Sequence, residues 1–113
     1  MKKRYASVIG LNPDRVEVYK RLHADVWPTV LEEIKRCNIH NYSMYLKKFD
    51  DGSYYLFSYF EYGGEDFTAD MKRMANDAET QRWWNFCSPC QIPLGNREQG
   101  EWWAGLEEVF HYD

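Results

Sequence analysis

The segment Asp50-Asp51-Gly52-Ser53 restricts the possible folds of this chain more than any other feature. It combines residues that favour tight turns, and a run with strand character lies on each side of it. Residues 40–48 alternate between two faces, and residues 54–62 are aromatic on both faces. Because so short a turn joins neighbouring antiparallel strands, the sequence predicts a β-hairpin at its centre.

The residues before this hairpin predict a strand followed by a broken helix. Residues 4–11 have strand character, and Asn12-Pro13-Asp14 predicts a helix start, because asparagine caps helices and proline suits the first turn. Trp27-Pro28 predicts a break, since proline disrupts a helix interior. Apolar residues then recur at helical spacing up to about residue 37.

The residues after the hairpin predict a second helical region and a last strand. Residues 66–86 have helical spacing, with a possible interruption at Asn76-Asp77. Residues 88–101 contain prolines and glycines and predict a surface loop, and Leu106 to Tyr112 predict the last strand. The order strand, helix, strand, strand, helix, strand predicts a ferredoxin-like α+β fold, with both helical regions on one face of an antiparallel sheet.

The length and aromatic content of the chain bear on how such a sheet is covered. A chain of 113 residues supports one domain, which we place at residues 1–113. In this fold the second sheet face carries aromatic and apolar residues that no part of the chain remains to cover. We therefore expect either a homodimer, in which two such faces pack together, or a sheet that curls over a ligand.

Charge and cysteine content exclude several classes of protein. With 14 Lys+Arg and 18 Asp+Glu the net charge is −4, and the chain lacks the basic cluster that nucleic acid requires. No apolar stretch approaches the length of a membrane span, so we expect a cytoplasmic protein without nucleic-acid or membrane partners. An odd number of cysteines, three, argues against a disulfide framework, so we expect reduced thiols. The single CxxC motif, Cys87–Cys90, has no second pair and is too little for a structural zinc site.

The residues that could carry chemistry are suited to proton transfer and sugar binding. Tyr19 and His23 share a helix face, and histidine exchanges protons near neutral pH, although the spacing alone favours ordinary amphipathic packing. The flat rings of Trp83 and Trp84 can stack on a sugar, but one member of an adjacent pair is expected to be core. Trp102-Trp103 forms a second such pair. Tyr42 is either a hydrogen-bond donor to sugar hydroxyls or a core residue.

The sequence does not favour a metal ion or an organic cofactor. His23, His40 and His111 lie on three separate predicted elements without ligand spacing. The chain has no phosphate-binding glycine loop, no GxSxG elbow and no HExxH motif. We therefore expect chemistry that depends on proton transfer alone, with no metal and no cofactor.

Five blocks of residues are spread over nearly the whole chain: Tyr19-Lys20-Arg21-Leu22-His23, Val26-Trp27-Pro28, His40-Asn41-Tyr42, Gln81-Arg82-Trp83-Trp84 and Glu107-Glu108-Val109-Phe110. In this order they resemble the L-rhamnose mutarotase family. The resemblance implies a dimeric ferredoxin-like α/β barrel. It also implies that the chain interconverts the α and β anomers of L-rhamnose without a metal or cofactor.

The resemblance also implies roles for individual residues. His23 would be the proton donor, and we hypothesise that it protonates the ring oxygen while a tyrosine, a carboxylate or water removes the anomeric proton. The sugar would be bound by Tyr19, Tyr42, Trp83 and Trp84. The chain departs from the family pattern at Ala24-Asp25, where Asn-Pro is expected, and across residues 88–105. These differences leave L-fucose, another 6-deoxyhexose, as an alternative substrate.

Two other classes of protein are compatible with the same architecture. One is a small monooxygenase, either cofactor-free or haem-dependent. The other is a non-catalytic module that binds sugar or forms a dimer. Neither alternative requires the combination of His23, Tyr19, Tyr42 and the Trp83-Trp84 pair.

Overall fold

The computed structural model describes residues 2–113, which form an antiparallel sheet and four α-helices. The elements are β1 (Lys3–Leu11), α1 (Val16–Ala24), α2 (Pro28–Arg36), β2 (Ile39–Lys48), β3 (Tyr54–Tyr62), α3 (Phe67–Ala75), α4 (Ala78–Cys87), β4 (Gln91–Ile92) and β5 (Ala104–Gly105). The strand order is β2-β3-β1-β4, and β5 also pairs with β1. The predicted α+β class with an antiparallel sheet is confirmed.

The helices begin and break where the sequence predicted. The Asn12 side chain accepts a hydrogen bond from the Asp14 backbone N–H at 2.9 Å and caps a 3-10 turn, Pro13–Arg15, which leads into α1 at Val16. Trp27 is extended and Pro28 opens α2, because proline fits the first helical turn but not the interior. Asp77 caps α4 by accepting from the backbone N–H of Thr80 at 2.9 Å. Among residues 2–113, no helix has the length and apolar character needed to span a bilayer.

The helices cover one face of the sheet. Ile9, Leu11 and Leu56 point towards the helices and form a buried core with Val30 of α2 and Trp83 of α4. Leu56 lies opposite Ile9 in the β1–β3 register and opposite Leu46 across the hairpin. The core therefore lies between this sheet face and the helices, and helix side chains are held directly above the strands.

No helix packs on the opposite face of the sheet in the described part of the chain. Val8 of β1 lies beside Phe57 of β3, and Tyr59 and Tyr45 continue this apolar surface. Tyr45 is 65% exposed. Phe57 and Tyr59 are half-buried, and Val8 is buried. We call Val8, Tyr45, Phe57 and Tyr59 the open face.

The predicted last strand, Leu106 to Tyr112, is wrong. The sheet edge beside β1 is instead formed by two strands of two residues each, Gln91–Ile92 and Ala104–Gly105. Leu106 still donates its backbone N–H to the Ala6 carbonyl at 2.9 Å. The residues after Leu106 belong to no strand, although the Glu108 side chain still contacts Arg4 of β1. The predicted loop at 88–101 is correspondingly shorter, because it contains β4.

Candidate active site

A cavity of about 840 Å³ lies between the helices and the covered face of the sheet. This size is within the range of small-molecule sites. All five predicted site residues line it: Tyr19 and His23 from α1, Tyr42 from β2, and Trp83 and Trp84 from α4. Residues far apart in the sequence therefore meet at one place, because α1 and α4 both pack on the sheet.

One nitrogen of His23 is held by the backbone, which fixes the tautomer of the ring. Nδ1 lies 2.9 Å from the carbonyl oxygen of Tyr19, one helical turn earlier. A carbonyl can only accept, so Nδ1 carries the hydrogen and the neutral ring leaves Nε2 unprotonated. Burial lowers the pKa of His23, partly opposed by this hydrogen bond. His23 is therefore neutral at neutral pH, with one nitrogen able to accept a proton.

Tyr19 is buried beneath His23 and remains protonated. The two rings stack with centroids 4.2 Å apart. The Tyr19 hydroxyl accepts a hydrogen bond from Gln91 Nε2 at 3.1 Å and is directed towards Met44 Sδ at 3.7 Å. Burial raises the pKa of Tyr19, and the Gln91 hydrogen bond offsets part of that rise. The phenol is therefore a hydrogen-bond donor across the working pH range.

The two adjacent tryptophans differ in burial, as expected for neighbours on a helix. Trp83 is 6% exposed, and its ring packs edge-on against His23, with centroids 5.2 Å apart. The Trp27 ring also packs edge-on against Trp83, with ring centroids 5.3 Å apart. Trp84 is 40% exposed and also lines the cavity. Trp83 therefore forms part of the wall that holds His23, whereas Trp84 offers an accessible ring.

Tyr42 follows a β-bulge and lines the cavity. The β2–β3 register shifts between His40 and Ser43, and Asn41 has a positive φ of 49°. Ordinary alternation places Tyr42 on the helix-facing side with Met44, whereas the extra residue places His40, which pairs with Glu61, on the other side. Desolvation of the hydroxyl raises the pKa of Tyr42 to about 12, even though 40% of the residue is exposed. Tyr42 is thus a second protonated phenol in the cavity.

Further cavity residues were assigned no role from the sequence. Gln91, Trp102 and Trp103 line the cavity, and the Gln91 side chain joins Tyr19 to Trp102. The tandem Trp102-Trp103 motif was the one available signal. Between residues 2 and 113, no carboxylate lines the cavity. Its titratable side chains are His23, the two tyrosines, Lys20 and Cys87, and of these the histidine is the one suited to exchange protons near neutral pH.

The three histidines do not converge. His23 lies in the cavity, His40 is exposed on β2, and His111 lies near the end of the chain. In the range 2–113, no group of three or more His, Cys, Asp or Glu side chains is arranged to hold a metal ion. Cys37, Cys87 and Cys90 are buried and free. Burial and the neighbouring Cys90 raise the pKa of Cys87 to about 12, so its thiol stays protonated.

Comparisons with known proteins agree over the whole length of the chain. Residues 4–112 match the family model described as L-rhamnose mutarotase. An L-rhamnose mutarotase from Oceanobacillus iheyensis is 32% identical, over 98% of this chain and 99% of that protein. One from Bacillus subtilis is 33% identical with the same coverage. A crystal structure of an L-rhamnose mutarotase from Formosa agariphila has a TM-score of 0.74 at 23% identity, and covers 98% of this chain and 99% of that one.

Proposed function

The chain belongs to the L-rhamnose mutarotase family of anomer-interconverting carbohydrate isomerases, and we propose that it acts on L-rhamnose in the cavity around His23. The observation that supports this site is the state of His23, whose Nδ1 is held by a carbonyl while the ring lines an aromatic cavity. Family membership favours an isomerase over the monooxygenase and the non-catalytic module that the sequence left open.

His23 can perform both proton movements of the reaction. Its neutral Nε2 accepts the proton of the anomeric hydroxyl, and the bond between C1 and the ring oxygen then breaks as the C1–O1 double bond forms. The imidazolium of His23 then donates this proton to the ring oxygen. His23 thus has the donor role that the resemblance implied. Rotation about C1–C2 and the reverse steps produce the other anomer. No net proton or electron is gained or lost.

The remaining cavity residues bind and orient the sugar. Tyr19 and Tyr42 stay protonated because their phenols are desolvated, so both donate hydrogen bonds to sugar oxygens. Trp84 offers a flat ring for the apolar face of the sugar, and Trp83 keeps the His23 ring in place. The largely apolar wall, which includes Met44 and Leu46, suits the methyl group at C6.

Proton NMR tests this function directly. Saturating one anomeric signal of L-rhamnose should reduce the other only when catalytic amounts of protein are present. The same experiment with L-fucose compares the alternative substrate, because residues 24–25 and 88–105 differ from the family pattern. Faster exchange of L-fucose would reassign the substrate, and no enhancement with either sugar would contradict the proposed activity.

We also propose that the protein is a homodimer joined through the open face. Arg4 alternates onto the same side of β1 as Val8, and it forms a bidentate ion pair with Glu108 after β5, at 2.7 Å for the shorter contact. Val109, Phe110 and Tyr112 beyond it are 80–87% exposed. An exposed apolar sheet face and apolar tail together favour a second copy of the chain as the partner.

Sedimentation tests the dimer. The full chain should sediment as a dimer at micromolar concentration, and removal of residues 109–113 should weaken the association without unfolding the chain. A monomeric full chain would contradict the proposal.

Three buried free cysteines suit a reducing compartment, so we place the protein in the cytoplasm.

A further inference from the structure

Three side chains form a hydrogen-bonded path from the surface to the cavity. The Trp102 indole Nε1–H donates to Gln91 Oε1 at 2.7 Å. Gln91 Nε2 in turn donates to the Tyr19 hydroxyl at 3.1 Å. Gln91 belongs to β4 and pairs with Leu11 of β1, so its backbone is held by the sheet. The path therefore connects the loop before β5 to a residue that stacks on His23.

The direction of each hydrogen bond in this path is determined by chemistry. An indole N–H can only donate, so the oxygen of the Gln91 amide must face Trp102. The amide nitrogen then faces Tyr19, and the Tyr19 oxygen acts as an acceptor. Its own hydrogen must point elsewhere, and the structure directs it to Met44 Sδ at 3.7 Å. A thioether is a weak acceptor, so this hydrogen is available to a better one.

We propose that Gln91 is a positioning residue that turns the Tyr19 hydroxyl hydrogen into the cavity, and that Trp102 holds Gln91 in the orientation this requires. The inference rests on the proposed function, because the acceptor it supplies is a sugar oxygen. Without the indole, the amide is free to rotate and present its oxygen to Tyr19. The phenol would then donate to Gln91 and lose its donor role in the cavity.

Two substitutions at Gln91 separate positioning from packing. Gln91→Glu has nearly the same shape and still accepts from Trp102, but its carboxylate also accepts the Tyr19 hydrogen. Gln91→Leu loses both hydrogen bonds and leaves that hydrogen free to reach the sugar. We expect kcat/KM for anomer exchange to fall about tenfold in Gln91→Glu, roughly the effect of one hydrogen bond, and by less in Gln91→Leu.

A purely structural role predicts the reverse order, because Gln91→Glu preserves more of the folded contacts. Repeating both substitutions in a Tyr19→Phe background completes the test, and there the difference between them should disappear. A larger loss in Gln91→Leu, or a difference that persists without the Tyr19 hydroxyl, would overturn the proposal. Thermal unfolding of each variant checks that the comparison is made on folded protein.

The indole signal of Trp102 provides a readout that does not depend on activity. In a ¹H–¹⁵N spectrum this signal should shift in Gln91→Leu and stay near its wild-type position in Gln91→Glu. If the wild-type protein exchanges no sugar anomers, the proposed function fails, and this signal still decides whether the hydrogen-bonded path exists. An indole signal that is unmoved in Gln91→Leu would overturn it.

Discussion

The two faces of the central sheet are built from alternating residues of the same strands, yet they have opposite environments. On the helix side, Ser58 and Leu56 are buried, and the cavity contains a histidine and two phenols with shifted pKa values. On the open face, Tyr45 is 65% exposed. The difference shows how a small chain can separate chemistry from assembly: burial on one side tunes proton affinity, and exposure on the other leaves apolar area for a partner.

The largest effect should come from removing the imidazole on the helix side. His23→Ala should reduce anomer exchange at least about hundredfold, because a positioned acid–base group contributes on the order of 10²–10⁴ in rate. His40→Ala is the matched control, since His40 is exposed outside the cavity. NMR exchange rates measure both variants. Near-full activity of His23→Ala would contradict the assignment of the acid–base chemistry to His23 on the helix side of the sheet.

The tandem tryptophans sharpen the comparison within the cavity itself. Trp83→Ala should lower the free energy of unfolding by about 3–5 kcal/mol, because it deletes a buried ring that contacts both His23 and Trp27. Trp84→Ala should cost less than about 1 kcal/mol but weaken sugar binding. Chemical denaturation and a sugar titration measure these effects. Equal loss of stability in the two variants would contradict their different burial.

A charge on the open face tests whether assembly and chemistry are independent. Tyr45→Glu should shift the protein from dimer to monomer, because an unpaired carboxylate is costly to bury in an apolar interface. Exchange activity should stay within about twofold of wild type, since the residues that line the cavity lie on the other face. Sedimentation and NMR on the same sample measure both. Loss of activity with the dimer would show that the two faces are coupled.

The smallest expected effect is on the pH dependence of the reaction. Burial lowers the pKa of His23 below its ordinary value of about 6.5, and the neutral ring is the proton acceptor. Exchange should therefore be constant above about pH 6.5 and fall only as the pH drops through the lowered value. The free energy of unfolding should also fall below about pH 6.5, because His23 binds its proton more readily in the unfolded chain than in the folded one. An acid limb with its midpoint above 6.5 would contradict this.

The fold was predictable where local chemistry dominates. Asn12 caps the 3-10 turn that leads into α1, and Pro28 and Asp77 begin α2 and α4 at the two predicted breaks. The end of the chain was not predictable. Residues 106–112 have strand-like composition, and Leu106 and Glu108 still contact Ala6 and Arg4 of β1, but no regular strand forms among them. Composition alone does not determine whether regular pairing forms.

The candidate site, like the fold, was predictable from the sequence only in part. His23, Tyr19, Tyr42 and the Trp83-Trp84 pair were candidates from the sequence, and all of them line one cavity. Gln91 was not a candidate, because its role depends on hydrogen bonds to residues 72 and 11 positions away. Nor did the sequence show that the cavity is lined without a carboxylate in the described residues.

By itself the sequence determined the order of the elements up to α4, the hairpin, the helix breaks and the family, since these depend on local propensities and on blocks of adjacent residues. Only the tertiary structure decided the tautomer of His23, the protonation of the two phenols, which of Trp83 and Trp84 is buried, and the conformation of the last residues. Burial and hydrogen-bond direction depend on which distant groups meet. That is settled only when the helices pack onto the sheet.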